Sequence, residues 1–324
     1  MLLLNCIKKG GVHIKNITKF INALGTMIII NIDTKNEKRT LKELDEIEML
    51  INEYNIKWSL YNNSSLINKI NNSNDYVLVD FDTLKIIKDS SMYSVKTKGY
   101  FDITTAKLNL LWKSVIKSKV LPTKKEIIKE IKNVNYKKII IKDNKIKLGK
   151  NQKIDLGAIA KGFILDKIKN MLNMEDILNG IINLGGTIYT IGEYNIGIRS
   201  PFKPVYGELN SDYILTVKLM NECIVTSGIY EQETIIDGIS YNHIINPKDG
   251  YPTKSDLLSI SLIGNNASML DAYATALFNM EIDESLELLN DEKIDAIFIF
   301  KNGSIYITDK AKNKIEKRNY NENK

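Results

Sequence analysis

Cysteine, histidine and proline are all scarce in this 324-residue chain, which contains two, two and five of them. Two cysteines, Cys6 and Cys223, cannot build a disulfide framework or a thiolate zinc site, and they leave the redox compartment open. With few prolines and no Pro- or Ser-rich stretch, nothing reads as a tether, so any subdivision of the fold is intimate. No apolar run approaches the roughly 20 residues that span a bilayer. The longest, residues 27–32, reads as a strand. Neither the P-loop nor the dinucleotide glycine spacing is present, and no internal repeat is found. A one-sided charge is lacking too: 45 basic against 39 acidic residues give net +6, and the lysines are scattered, so no nucleic-acid partner is expected.

What is present is enough apolar material, 44% of residues, to bury a sizeable core. After an irregular N-terminal extension over residues 1–21, a first strand is expected at 24–32, then a helix at 41–54 with apolar residues at helical spacing. Helices follow at 66–70, capped by the Asn62-Asn-Ser-Ser65 run, and at 80–96. Residues 98–105 read as a turn and strand carrying Asp102. A lysine-rich helix and a hairpin around Asp143-Asn144 fill 122–149. A strand at 153–156, a helix at 160–171 and a strand at 180–183 read as one β-α-β unit closed by the Gly185-Gly186 turn. Further strands are expected near Tyr189 and at 194–199, 213–218, 223–226, 296–300 and 305–308, with helices at 268–280 and 283–290. The tail, 311–324, is charged and reads as frayed.

Chemistry-bearing residues concentrate in two places. In Asp271-Ala-Tyr-Ala-Thr275 the carboxylate and hydroxyl are four residues apart, which puts them on one helix face where both can reach a hard cation. In isolation the same residues are ordinary as a cap and a packed threonine. Asp155-Leu-Gly-Ala-Ile-Ala-Lys-Gly162 carries a short apolar stretch through a glycine into a helix start, where free amides and Lys161 suit a phosphate. His243 is one of two histidines, beside a strand end, and is a candidate general base or simply a packed ring. Tyr61 and Tyr100 are candidates to stack on a flat ring.

Taken in order, these blocks resemble the FAD:protein FMN transferases, the ApbE (thiamine-biosynthesis lipoprotein) family. The resemblance covers about residues 22–310 and rests on several blocks. They are Leu24-Gly-Thr26, Tyr61-Asn-Asn-Ser-Ser-Leu66, Gly99-Tyr-Phe-Asp-Ile-Thr104 with Leu111-Trp112, and Asp155 to Gly162. The order continues through Asn183-Leu-Gly-Gly186, Thr226-Ser-Gly-Ile-Tyr-Glu231, His243 to Pro252 and Asp271 to Thr275. Three positions depart from the family pattern: Asn246 for a usual aspartate, Thr187 for a common acidic residue, and Gln232 for a frequent arginine.

The resemblance implies an α+β fold related to the T-fold, with two intimately packed α/β subdomains and the nucleotide site in the cleft between them. It implies Mg2+-dependent transfer of FMN from FAD to a Thr or Ser hydroxyl of an acceptor flavoprotein, for example a subunit or domain of a membrane redox complex, with release of AMP. FAD is then a substrate. By position, the Ala158 carbonyl and the side chains of Asp271 and Thr275 are expected to hold the metal, with Ala274 adjoining. Leu24, Tyr61, Tyr100, Phe101, Asp102, Asp155, Lys161 and Ile245 fall at FAD contacts, and His243 at the position that takes the acceptor's proton. The alternatives are an FAD pyrophosphatase giving FMN and AMP, and a flavin-binding protein without turnover; the oligomeric state stays open. On the chain as given the expected location is cytoplasmic. The Met1-to-Cys6 start lacks a basic leader, and a lipid anchor at the outer face of the cytoplasmic membrane is the alternative if a leader is missing.

Overall fold

In the stretch from Met27 to Ile32 the isoleucines at 28, 30 and 32 are fully buried while Met27 stays half-exposed, the period of two that a sheet packed on one face demands. The computed structural model describes residues 2–9, 12–202, 213–231 and 233–318. Along the chain, β1 (Leu2–Lys9), β2 (Val12–Ala23) and β3 (Thr26–Thr34) form a meander, and α1 (Glu37–Lys57) follows. A mostly helical insertion comes next: α2 (Leu66–Asn72), β4 (Val77–Leu78), α3 (Phe81–Lys96), α4 (Ala106–Ser118), α5 (Lys124–Ile131), β5 (Ile140–Lys142) and β6 (Lys145–Lys147). Then come α6 (Ala160–Met171), β7 (Ile177–Asn183), β8 (Thr187–Ile191), β9 (Glu193–Arg199), β10 (Tyr213–Met220), β11 (Cys223–Gly228), β12 (Glu233–Ile236) and β13 (Ile239–Asn242). The chain continues with β14 (Leu257–Gly264), α7 (Ala267–Leu277), α8 (Ile282–Asp291), β15 (Asp295–Phe300), β16 (Ile305–Ile307), α9 (Asp309–Lys312) and β17 (Ile315–Arg318).

Nine strands make the main sheet in the order β1-β2-β3-β7-β8-β11-β14-β15-β16, antiparallel at each pairing. One face packs on α1, α6 and α7 in the large core. The other face meets the small sheet β17-β10-β9 through a second core that includes Ile196, Val217 and Leu219. β11 shows the division within one strand, since Cys223 and Val225 enter the first core and Ile224 the second. A strand buried on both sides reads as a nearly continuous apolar run, as Leu257–Gly264 does. The fold is mixed α/β, and among the described residues no helix is long and apolar enough to cross a membrane.

Three expectations need correction. The region before residue 22 is not irregular, because β2 pairs with β3 from Lys15 to Ala23. Its alternation is hidden by Lys19, an inward-facing charge held by Asp45 and Glu48 of α1, each at 2.6 Å. Residues 98–105 and 153–156 are not strands, so the β-α-β unit expected over 153–183 does not form; an isolated parallel bridge joins Thr105 to Lys153. The Asp102 carboxylate takes the Thr104 amide (2.8 Å) and the Tyr136 amide (2.9 Å), donors that a ladder would need. The Asn71 side chain similarly takes Ile154 N at 2.7 Å and donates to Ile154 O at 2.9 Å. Finally, residues 311–318 are ordered through α9 and through β17 paired with β10. Gln232 and residues 319–324 lie outside the described residues, as does the side chain of Cys6.

Candidate active site

The site begins with how closely α6 and α7 approach. A Cβ on Gly162 would lie 2.1 Å from the Ala267 carbonyl oxygen, so only glycine lets the two backbones meet here. Asp166 on α6 caps α7, accepting from Ala267 N (3.1 Å) and Ser268 N (2.8 Å), and Asn266 accepts from Met269 N at 2.9 Å. The crossing delivers the Gly162 amide to Asp271 Oδ2 at 2.9 Å. Asp271 is 5% exposed, and burial pushes its carboxyl above the ordinary aspartate range, with the nearby Lys161 charge pulling the other way. Thr275 stands one turn on, its hydroxyl donating weakly to Asp271 O at 3.4 Å.

Because Gly162 N is turned to Asp271, the Ala158 carbonyl receives no donor among the described residues. The helix it precedes starts without a side-chain cap. Ala158, Lys161, Asp271 and Thr275 all line one cavity of about 600 Å³, which lies between the main sheet's helices and the helical insertion. Its wall also holds Leu24, Tyr61, Tyr100, Phe101, Asp102, Asp155, His243 and Ile245. Ala274 is the exception: it is fully buried in α7, away from the wall, because it projects from another side of the helix than Asp271 and Thr275.

Each wall residue is held by its own local structure. Leu24 is not in a strand; with Gly25 it forms the two-residue turn between β2 and β3, both at positive φ (54° and 74°), and its amide donates to Asn55 at 3.0 Å. Asp155 accepts from Gly157 N (2.9 Å) and from Asn109 Nδ2 (3.0 Å). Asp102, 8% exposed and raised by burial, spends its oxygens on Thr104 and Tyr136, so it shapes the wall more than it offers a free charge. Tyr61 is 62% exposed, with Lys113 Nζ 3.7 Å from its ring centre; Lys248 Nζ lies 5.0 Å from the ring centre of Tyr100.

His243 is exposed on the wall, at the start of a loop that is tightly tied. Asn242 accepts from Ile244 N (3.0 Å) and donates to Thr253 O (3.1 Å), and Trp112 Nε1 donates to Gly250 O at 2.8 Å. Asn246, one of the departures, closes a turn by accepting from Lys248 N at 2.9 Å, whereas Thr187 is buried in β8. Residue-type reasoning did not single out Asn109 or Lys113. The signal was available in α4, where Thr105, Asn109, Trp112 and Ile116 recur at helical spacing and all line the cavity.

Comparison with known proteins supplies the context. The model of the ApbE family matches residues 24–298, well over half of the chain. The chain belongs to the ApbE family. Among its curated relatives, the FAD:protein FMN transferase of Klebsiella pneumoniae (strain 342) is 29% identical over 236 residues, 72% of this chain and 73% of the relative. That of Treponema pallidum (strain Nichols) is 25% identical over 321 residues, covering 90% and 86%. The crystal structure of the ApbE protein from Thermotoga maritima superposes with a TM-score of 0.82 at 28% identity, covering 93% of this chain and all of that one. The flavin transferase ApbE from Vibrio cholerae gives 0.80 at 23% identity over 93% and 99%, a likeness of fold. The ApbE fold therefore spans nearly the whole chain.

Proposed function

We propose that this ApbE-family chain is an enzyme that moves FMN from FAD to a threonine or serine hydroxyl of an acceptor protein, releasing AMP. The observation that carries the reading is the convergence, on one cavity, of a buried carboxylate, a hydroxyl one turn away, an undonated carbonyl and a helix start bearing Lys161. The cavity volume falls within the roughly 300–1,000 Å³ usual for small-molecule sites. The names of the relatives support the choice of substrates.

The residues fit a magnesium ion. One carboxylate, Asp271, with the Thr275 hydroxyl and the Ala158 carbonyl is an all-oxygen set that leaves room for substrate phosphate, the way Mg2+ is usually held. Bound there, the ion would neutralise pyrophosphate charge. The chain's own residues do the rest. The start of α6 and Lys161 offer amide and ammonium donors to phosphate oxygens. Tyr61 and Tyr100 present aromatic faces. His243, at an exposed position that a partner protein's side chain can reach, takes the proton as the acceptor oxygen bonds to the FMN phosphorus. The bond from that phosphorus to the bridging oxygen breaks, and AMP leaves with the bridging oxygen.

The test is AMP release from FAD with Mg2+ or EDTA in the presence of a candidate acceptor domain, followed by the acceptor's intact mass. Metal-dependent AMP with a gain of one FMN mass is expected, and His243→Ala should keep FAD binding while losing transfer about 10²–10⁴-fold. AMP and free FMN without labelling of any acceptor would make the chain a pyrophosphatase. FAD binding without release would refute the catalytic assignment.

A further inference from the structure

A second concavity lies behind the Asp155 segment. It has a volume of about 430 Å³ and its wall carries four lysines, Lys107, Lys147, Lys150 and Lys153, together with Asn72 and Asn74. Its frame is built rather than incidental. Gln152, 3% exposed, donates to Asn133 O (3.1 Å) and Asn135 O (2.8 Å) and accepts from Gly149 N (3.1 Å). Asn71, 7% exposed, grips Ile154 through both ends of its amide.

The charges do not balance. Lys107 approaches Glu130 at 3.5 Å and Lys147 approaches Asp75 at 3.8 Å, and Asp75 is 85% exposed. Lys153 has an uncharged partner, Asn72 Oδ1, at 3.2 Å. Lys150 has no acidic partner among the described residues. Four lysines line the concavity and no carboxylate does, while the two carboxylates that meet Lys107 and Lys147 stand outside its lining, so the wall carries a net positive charge that an anion would offset. A phosphate or phosphomonoester carries close to two negative charges at neutral pH and has the acceptor oxygens that ammonium and amide donors require. The volume exceeds what one phosphoryl group fills, so a monoester with a small organic part also fits.

We infer that this lysine-lined concavity is a binding site for a phosphoryl dianion, separate from the large cavity. The site stands on its own geometry and does not depend on the transferase reading. Lys153 of its wall stands two residues before Asp155 of the large cavity's wall.

The experiment is equilibrium binding of radiolabelled orthophosphate, and in a parallel arm glycerol phosphate, to the full chain without FAD. Wild type is compared with Lys150→Gln/Lys153→Gln and with Lys161→Gln, the latter reporting phosphate held in the large cavity. Saturable binding that persists in Lys161→Gln is expected, and it is this component that the double variant weakens about tenfold or more. Equal affinity in the two arms assigns recognition to the phosphoryl group alone, and tighter glycerol phosphate extends it to the organic part. Should the double variant fold poorly, Asn74→Asp, which puts a negative charge on the wall, must weaken binding in the same direction. Absence of saturable binding to millimolar concentration, or loss in Lys161→Gln with the double variant unaffected, overturns the inference.

Discussion

Gly162→Ala is the sharpest perturbation the structure offers, because the added methyl meets backbone that no side-chain rotation can clear. The new Cβ would stand 2.1 Å from Ala267 O, 2.6 Å from Ala267 C and 2.8 Å from Ser268 Cα. Helices α6 and α7 must separate, and the Gly162 amide leaves Asp271 Oδ2. Overpacking costs about 1–3 kcal/mol, and a lost hydrogen bond to a charged group about 1.5–3 kcal/mol. Alanine returns about 1 kcal/mol of helix propensity, leaving a net destabilisation of about 1.5–5 kcal/mol. Urea unfolding in EDTA reads this directly as a lower midpoint at unchanged slope. A metal titration of AMP release should shift to higher concentration in the same variant, because the carboxylate has lost the donor that aims it. A variant with the wild-type midpoint and the wild-type metal response would refute the claim that this glycine sets the carboxylate.

Three further outcomes follow. Asp271 has its folded-state pKa raised by burial, so the folded metal-free protein binds more protons than the unfolded one. Its stability in EDTA should therefore fall as pH climbs from the ordinary aspartate range through the raised value; Asp102 and Asp166, raised likewise, share in that fall, so Asp271→Asn should reduce it while abolishing metal-dependent turnover, and urea midpoints across pH check the sign. Trp112→Phe strips the donor from the Gly250 carbonyl and should cost about 1–3 kcal/mol, raising the KM for FAD as the loop that presents His243 loosens. Cys223 is buried and its thiol is pushed up to about 12, so a thiol reagent such as DTNB should label it only at the rate of unfolding.

Legibility followed the physics of each element. Helices with uninterrupted periodicity were readable nearly to the residue, as α6 was, and Ser65 and Asp80 cap α2 and α3. The cavity gathers every expected site residue except Ala274; Asp155, Lys161, His243, Asp271, Thr275 and the two tyrosines were legible from residue type and spacing, whereas Leu24, Phe101, Asp102, Ala158 and Ile245 came only through the family resemblance. What was hidden depended on partners distant in sequence. Lys19 breaks an apolar alternation and is intelligible only beside Asp45 and Glu48. Asp102 reads as a strand residue until Tyr136, far along the chain, donates to it. The extended segment ending at Asp155 is tied by the Asn71 side chain and by the bridge to Thr105, partners distant in sequence that periodicity cannot announce.

The large cavity draws its wall from chain stretches 24–61, 100–161 and 226–275. Synthesis therefore delivers the pieces of the nucleotide pocket at widely separated times, and none of the early pieces can grip a ligand alone. A nascent chain stalled before α7 holds Lys161 and the tyrosines but lacks the carboxylate that completes the pocket. Ligand occupancy thus reports that all three stretches have come together, and the free energy of binding falls on the fold that joins them.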